Sequence, residues 1–130
     1  MFEIVGKQIM VTRGSQCTIT LKVNPKEITE DTVFKVGDTV SFAVYGQKKL
    51  NQPPLLYKII EINNDSNVVD IPLTSDDTKI GEMVNKPIKY WYEIELNDKI
   101  TLVGYDNNGP KIFVLYPEGV KNNVWRNRII

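Results

Sequence analysis

Residues 88–116 read IKYWYEIELNDKITLVGYDNNGPKIFVLY, and their pattern decides the fold class. Tyr90, Tyr92, Ile94 and Leu96 recur at every second position, with Lys89, Trp91, Glu93 and Glu95 between them. A period of two puts successive side chains on opposite faces of an extended chain, so Ile88 to Leu96 is predicted to be a strand with one buried and one wet face. Asn97-Asp98 supplies a short hairpin turn into a second strand, Lys99 to Tyr105. Asp106-Asn107-Asn108-Gly109 is the strongest turn signal in the chain and predicts a reversal into a third strand, Lys111 to Tyr116.

The same grammar runs upstream. Gln8 to Thr12 forms a predicted strand ended by Arg13-Gly14-Ser15, and Gln16 to Val23 alternates Cys17, Ile19, Leu21 and Val23 with polar residues until Asn24-Pro25 breaks it. A loop to Lys35 follows, with Glu27, Glu30 and Asp31 read as a solvated connection because no ligand spacing accompanies them. Val40, Phe42 and Val44 then alternate with Thr39, Ser41 and Ala43. Leu55 to Ile62 is apolar on both faces around Lys58 and Glu61, which predicts a central strand. Asn67 to Leu73 is the next strand, and Thr74 to Lys79 fits one helical turn, with Thr74 as cap and Asp76 and Asp77 in the first turn where the backbone dipole favours negative charge. Seven or eight short strands with turns at this spacing predict an all-β fold, a two-sheet antiparallel β-sandwich, with a small barrel as the second choice.

Composition bounds the rest. A chain of 130 residues suits one domain, here read as 1–119, with 120–130 as a carboxy-terminal arm. Sixteen basic residues balance sixteen acidic ones, so the broad positive field that nucleic acid or an anionic membrane attracts is missing. No apolar run approaches the roughly 20 residues of a membrane span, and Met1-Phe2-Glu3 does not open a signal peptide, which predicts synthesis and retention inside a cell. Cys17 is the single cysteine, expected as a small core residue.

The chain has no histidine, which removes the commonest general base, the usual nucleophile triads and most zinc sites. The carboxylate pairs Asp76 with Asp77 and Glu93 with Glu95 read as a helix start and a wet strand face rather than as an acid and a base facing across a cleft. Asn63 to Asn67 mimics the start of a calcium loop, but Val68 stands where the sharp turn needs glycine and Thr74 where a bidentate glutamate belongs. No catalytic, cofactor-binding or metal residue is therefore expected. Trp91 is the one aromatic residue on the wet face of its strand, suited to covering the sheet, meeting another subunit or stacking on a glycan. The arm carries Val124, Trp125, Ile129 and Ile130 among Lys121, Arg126 and Arg128, too apolar for an idle tail, and is expected to pack on the domain or on a neighbouring subunit. Trp91, Val124, Trp125, Ile129 and Ile130 are the candidate interface residues.

Four motifs together, Val11-Thr12-Arg13-Gly14, Val36-Gly37-Asp38-Thr39-Val40-Ser41-Phe42, Leu73-Thr74-Ser75-Asp76-Asp77-Thr78 and Tyr90-Trp91-Tyr92-Glu93-Ile94-Glu95-Leu96, resemble the immunoglobulin-like N-terminal domain of phage baseplate upper proteins. Related phage and prophage tail or fibre structural proteins carry similar domains. The likeness covers roughly Gln8 to Tyr116 and departs at Ser15, where aspartate is expected after Arg13-Gly14, and in length, since such baseplate proteins continue into a stalk. It implies an immunoglobulin-like β-sandwich in a virion structural protein, made in the bacterial host cytoplasm. Such a protein docks on other virion proteins and on further copies of itself in a ring or trimer, without catalysis.

Overall fold

The computed structural model describes residues 1–23, 34–46, 52–83 and 85–118. These residues contain nine strands and no helix: β1 (Phe2–Val5), β2 (Gln8–Thr12), β3 (Cys17–Lys22), β4 (Thr39–Tyr45), β5 (Leu56–Glu61), β6 (Val68–Leu73), β7 (Ile88–Leu96), β8 (Ile100–Val103) and β9 (Ile112–Tyr116). Seven strands build the larger sheet in the order β1-β2-β9-β7-β4-β5, with β8 also on β7, and β3 with β6 forms the smaller one. All pairings are antiparallel except β2 with β9, where Ile9 lies beside Phe113 and Thr12 beside Tyr116. The result is an immunoglobulin-like β-sandwich.

Alternation explains the core. On β7, Tyr90, Tyr92, Ile94 and Leu96 are buried while Lys89, Trp91, Glu93 and Glu95 face outward. Val40, Phe42 and Val44 of β4 have no accessible surface, and the smaller sheet answers with Ile19, Val69, Ile71 and Leu73. Antibody domains centre this space on a disulfide and a tryptophan. Here the Phe42 ring fills it, 5.7 Å from the Tyr92 ring and 6.1 Å from that of Phe113, a fully buried side chain worth about 1.5–3 kcal/mol. Cys17 is half-buried and packs against the core, and burial pushes its thiol pKa up, away from reactivity.

Three expectations change. First, Leu55 to Ile62 is not central: among the described residues β5 ends the larger sheet, pairing with β4 alone. Its two-faced apolarity reflects an outer row, Tyr57 and Ile59, left exposed. Its inward Lys58 reaches the Asp77 carboxylate at the rim, the kind of inward charge that guards a sheet edge against further pairing. Secondly, the Asp106–Gly109 turn reverses the chain only locally and does not pair β8 with β9. β8 and β9 both run antiparallel to β7, opposite Ile94–Leu96 and Ile88–Trp91 respectively, so they are two parts of one interrupted strand. The turn closes an excursion between them, with Gly109 N–H donating to Asp106 O at 2.9 Å and Lys111 Nζ to Asp106 Oδ1 at 2.7 Å. Asn97-Asp98 does reverse the chain, with φ of 54° and 55° at the two residues and Lys99 N–H donating to Leu96 O at 3.0 Å, inside a loop of three residues between Leu96 and its partner Ile100. Thirdly, β1 extends the sheet beyond the predicted strands, joined to β2 by a turn at Gly6-Lys7.

The predicted turn after Leu73 forms as a reciprocal cap. Asp77 N–H donates to Thr74 Oγ1 at 3.1 Å and Thr74 N–H to Asp77 Oδ2 at 2.8 Å.

Candidate functional site

Register fixes what surrounds Trp91. Cross-strand partners share a face, so the outer face of the larger sheet carries Tyr45 and Ile112 beside Trp91, Ala43 and Tyr57 in line with Glu93, and Ser41 and Ile59 in line with Glu95. Ser41 and Ala43 are small and buried, which makes them a floor between a wall of Tyr57 and Ile59 and a wall of Glu93 and Glu95. At one end the Trp91 ring packs 6.2 Å from that of Tyr105, itself 68% exposed. The Tyr57 hydroxyl donates to Asp98 Oδ1 at 3.3 Å. Burial raises the Glu93 pKa, helped by the neighbouring Glu95 charge. Burial also raises that of Tyr45, followed by the charges of Glu93 and Glu95. No ion pair among the described residues involves either glutamate.

A second surface went unnoticed in the sequence. Among the described residues β3 pairs only with β6, so the edge of β3 facing the β1–β2 hairpin has no strand beside it. The gap between the sheets there is a cleft of about 240 Å³ lined by Ile4, Ile9, Ile19, Leu21, Ile94 and Val103, with Lys7 and Lys22 as its charged members. The Tyr92 hydroxyl donates to the Lys7 carbonyl across its floor, and burial pushes the Tyr92 pKa up to about 12, so it remains a donor. Phe2, Ile4 and Val5 of β1 stay exposed beside this opening. A strand pattern on β1 would have flagged it, but all four of its residues are exposed and give no alternation.

The end of the sandwich where β2 and β9 finish is tied by polar contacts. Arg13 Nη1 donates to Glu118 Oε1 at 3.1 Å, and Nη2 to the carbonyls of Lys79 and Gly81, both at 3.3 Å. Ser75 Oγ donates to Gly14 O at 2.6 Å and Thr78 Oγ1 to Ser15 O at 2.8 Å. Gly81, at φ +67°, lies against the Tyr90 hydroxyl, which a Cβ would meet at 2.2 Å. These groups are structural: each partner is a carbonyl or a carboxylate already satisfied within the fold.

Asp76 and Asp77 are engaged by different partners. Asp76 is almost fully exposed beside Lys79, and Asp77 is engaged by Lys58 and Thr74. Burial works against the Asp77 charge, but the Lys58 and Thr74 hydrogen bonds and the Lys58 charge outweigh it and hold the carboxyl below its usual range. Asp65 Oδ1 accepts the Val36 N–H at 2.9 Å and Ser66 Oγ that of Val68 at 3.0 Å, so residues 63–67 are a hydrogen-bonded turn. No cluster of metal-ligating side chains occurs among the described residues. Val124, Trp125, Ile129 and Ile130 lie outside the described residues. No family model, curated protein or solved structure matches the chain.

Proposed function

We propose that this chain is a structural module of a phage or prophage particle, associated with its tail or baseplate, that works through protein–protein contacts. The observation that carries this reading is the open side of the sandwich, where Phe2, Ile4 and Val5 are exposed beside an apolar cleft and an edge of β3 that pairs with no other strand among the described residues. Apolar side chains next to an unpaired strand edge are what an assembly partner covers. The likeness of the strand and turn motifs to baseplate upper proteins supports a virion setting, with other virion proteins and further copies of the chain as partners. On this reading the module needs no cofactor and catalyses nothing.

Two measurements test it together. In particles purified after phage or prophage induction, the chain is expected in the particle fraction, and Ile4→Glu, which puts a charge into the cleft wall, is expected to lower its incorporation at least tenfold while leaving the melting temperature nearly unchanged. Absence of the chain from particles, or normal incorporation of the variant, overturns the reading.

The Trp91–Tyr105 ring pair supports a second reading, glycan recognition at a host surface, because an exposed tyrosine ring backed by a half-buried tryptophan suits stacking on a sugar. Binding on a glycan array that Trp91→Ala abolishes is the result that favours it over assembly.

A further inference from the structure

On the open side the larger sheet overhangs the smaller one, and the overhang carries core-facing side chains. Cross-strand partners share a face, so Phe2 and Ile4, beside the buried Val11 and Ile9, face the core, while Glu3 and Val5 face outward. Phe2 and Ile4 are nonetheless 37% and 41% exposed, because among the described residues the smaller sheet stops at β3 and no strand continues it below β1.

The edge of β3 has backbone groups to offer. Val23 N–H donates to Asn67 O at 2.8 Å, and Thr18 lies opposite Pro72, which has no N–H to give. Bonded and non-bonded pairs alternate along an antiparallel ladder. Cys17, Ile19 and Leu21 therefore exchange their backbone bonds with β6, and Thr18, Thr20 and Lys22 turn theirs away from it. No strand among the described residues meets those groups.

A second copy supplies both missing pieces at once. Half a turn about an axis parallel to the strands, placed beside this side, exchanges the levels of the two sheets, so the overhanging β1 of each copy comes alongside the recessed β3 of the other. Core faces stay inward: Phe2 and Ile4 continue the row of Cys17, Ile19 and Leu21 on the second copy and close the cleft. On the outer face Glu3 joins the row of Thr18, Thr20 and Lys22. Ile4 lines the same cleft as Lys22, so Glu3, its neighbour in sequence, stands at a similar height along the strands, and the axis preserves heights. Opposite charges thus meet across the seam. Joining β1 to β1 would instead bring the two Glu3 carboxylates to one seam and leave the recessed β3 edges apart.

We propose that two copies of this chain pair on their open sides, β1 of each adding as a strand to the free edge of β3 of the other. This deepens the assembly reading, on which it rests for the open side being a surface that a partner covers. Two strand pairs of four residues make a small interface, so the dimer forms at roughly tens of micromolar and above, and low micromolar solutions hold the single copy.

Sedimentation velocity of the full chain from about 5 to about 500 µM is expected to shift from one copy to two with no larger species, because the two open sides face each other and neither is left over. Ile4→Glu is expected to stay a single copy at about 500 µM while melting like the unmodified chain at low micromolar concentration. Glu3→Lys and Lys22→Glu are each expected to weaken the dimer about tenfold by setting like charges side by side, and the double variant Glu3→Lys/Lys22→Glu to recover to within about threefold of the unmodified chain. A single copy at every concentration, growth beyond two copies, a dimer that survives Ile4→Glu, or a double variant no tighter than the single ones each overturn the proposal. Sedimentation reads the purified chain and incorporation reads the particle, so the dimer and the virion setting fail independently.

Discussion

The tied end of the sandwich and its open side differ in how they are held. At the tied end Arg13 joins the finish of β2 to Glu118 after β9 and to the carbonyls of Lys79 and Gly81, while Ser75 and Thr78 reach back to Gly14 and Ser15. At the open side the Tyr92 hydroxyl spans to the β1–β2 turn, and apolar side chains face solvent. Directional bonds fix the first region, whereas contact area dominates the second. The first therefore suits a rigid reference and the second suits a surface whose apolar groups gain by being covered.

Arg13→Met breaks the contrast most severely. It removes a partly buried ion pair and two further charge-assisted bonds and leaves Glu118 unpaired, so urea unfolding should show a loss of about 2–3 kcal/mol. The loss is moderated because Arg13 Nε is already buried without a hydrogen-bond partner, and the variant removes that burden too.

Asp77→Asn gives a smaller loss, about 1 kcal/mol at neutral pH, from the cap at Thr74 and the Lys58 pair. Because the folded-state pKa is lowered, the carboxylate's contribution is fully present above the unfolded value of about 3.9 and disappears as pH falls through the folded one. The gap between variant and unmodified chain should thus close on acidification below about pH 4, and a gap that stays constant to pH 2 would remove the charge from the explanation.

On the open side, Ile4→Ala should cost no more than about 0.5 kcal/mol, since Ile4 is 41% exposed. A melting curve showing a loss comparable to that of Arg13→Met would mean that β1 belongs to the rigid part after all.

The same division governs what could be read in the sequence. β7 is legible to its ends because one face is buried along its whole length, and Trp91 stood out as the aromatic residue on the wrong side of that alternation. β5 departs from its expected place because apolar residues on both faces mean either a central strand or an edge strand with an exposed apolar outer row, and only the sheet order distinguishes them. Tyr57 and Ile59 were therefore missed as neighbours of Glu93 and Glu95. Arg13 gave no local signal, since its partner Glu118 is 105 positions away. The Asp106–Gly109 motif specifies a tight turn but not whether the strand after it pairs with the one before, and here both pair with β7 instead.

The parallel pairing of β2 with β9 also sets a schedule for synthesis. Ile9 emerges from the ribosome early but cannot meet Phe113 until almost all of the described chain has been made. Loop closure over such a separation is slow. Until then the β1–β2 hairpin has no other strand of the described residues to pair with, and its apolar Ile9 and Val11 stay without the β9 neighbours that accompany them in the fold.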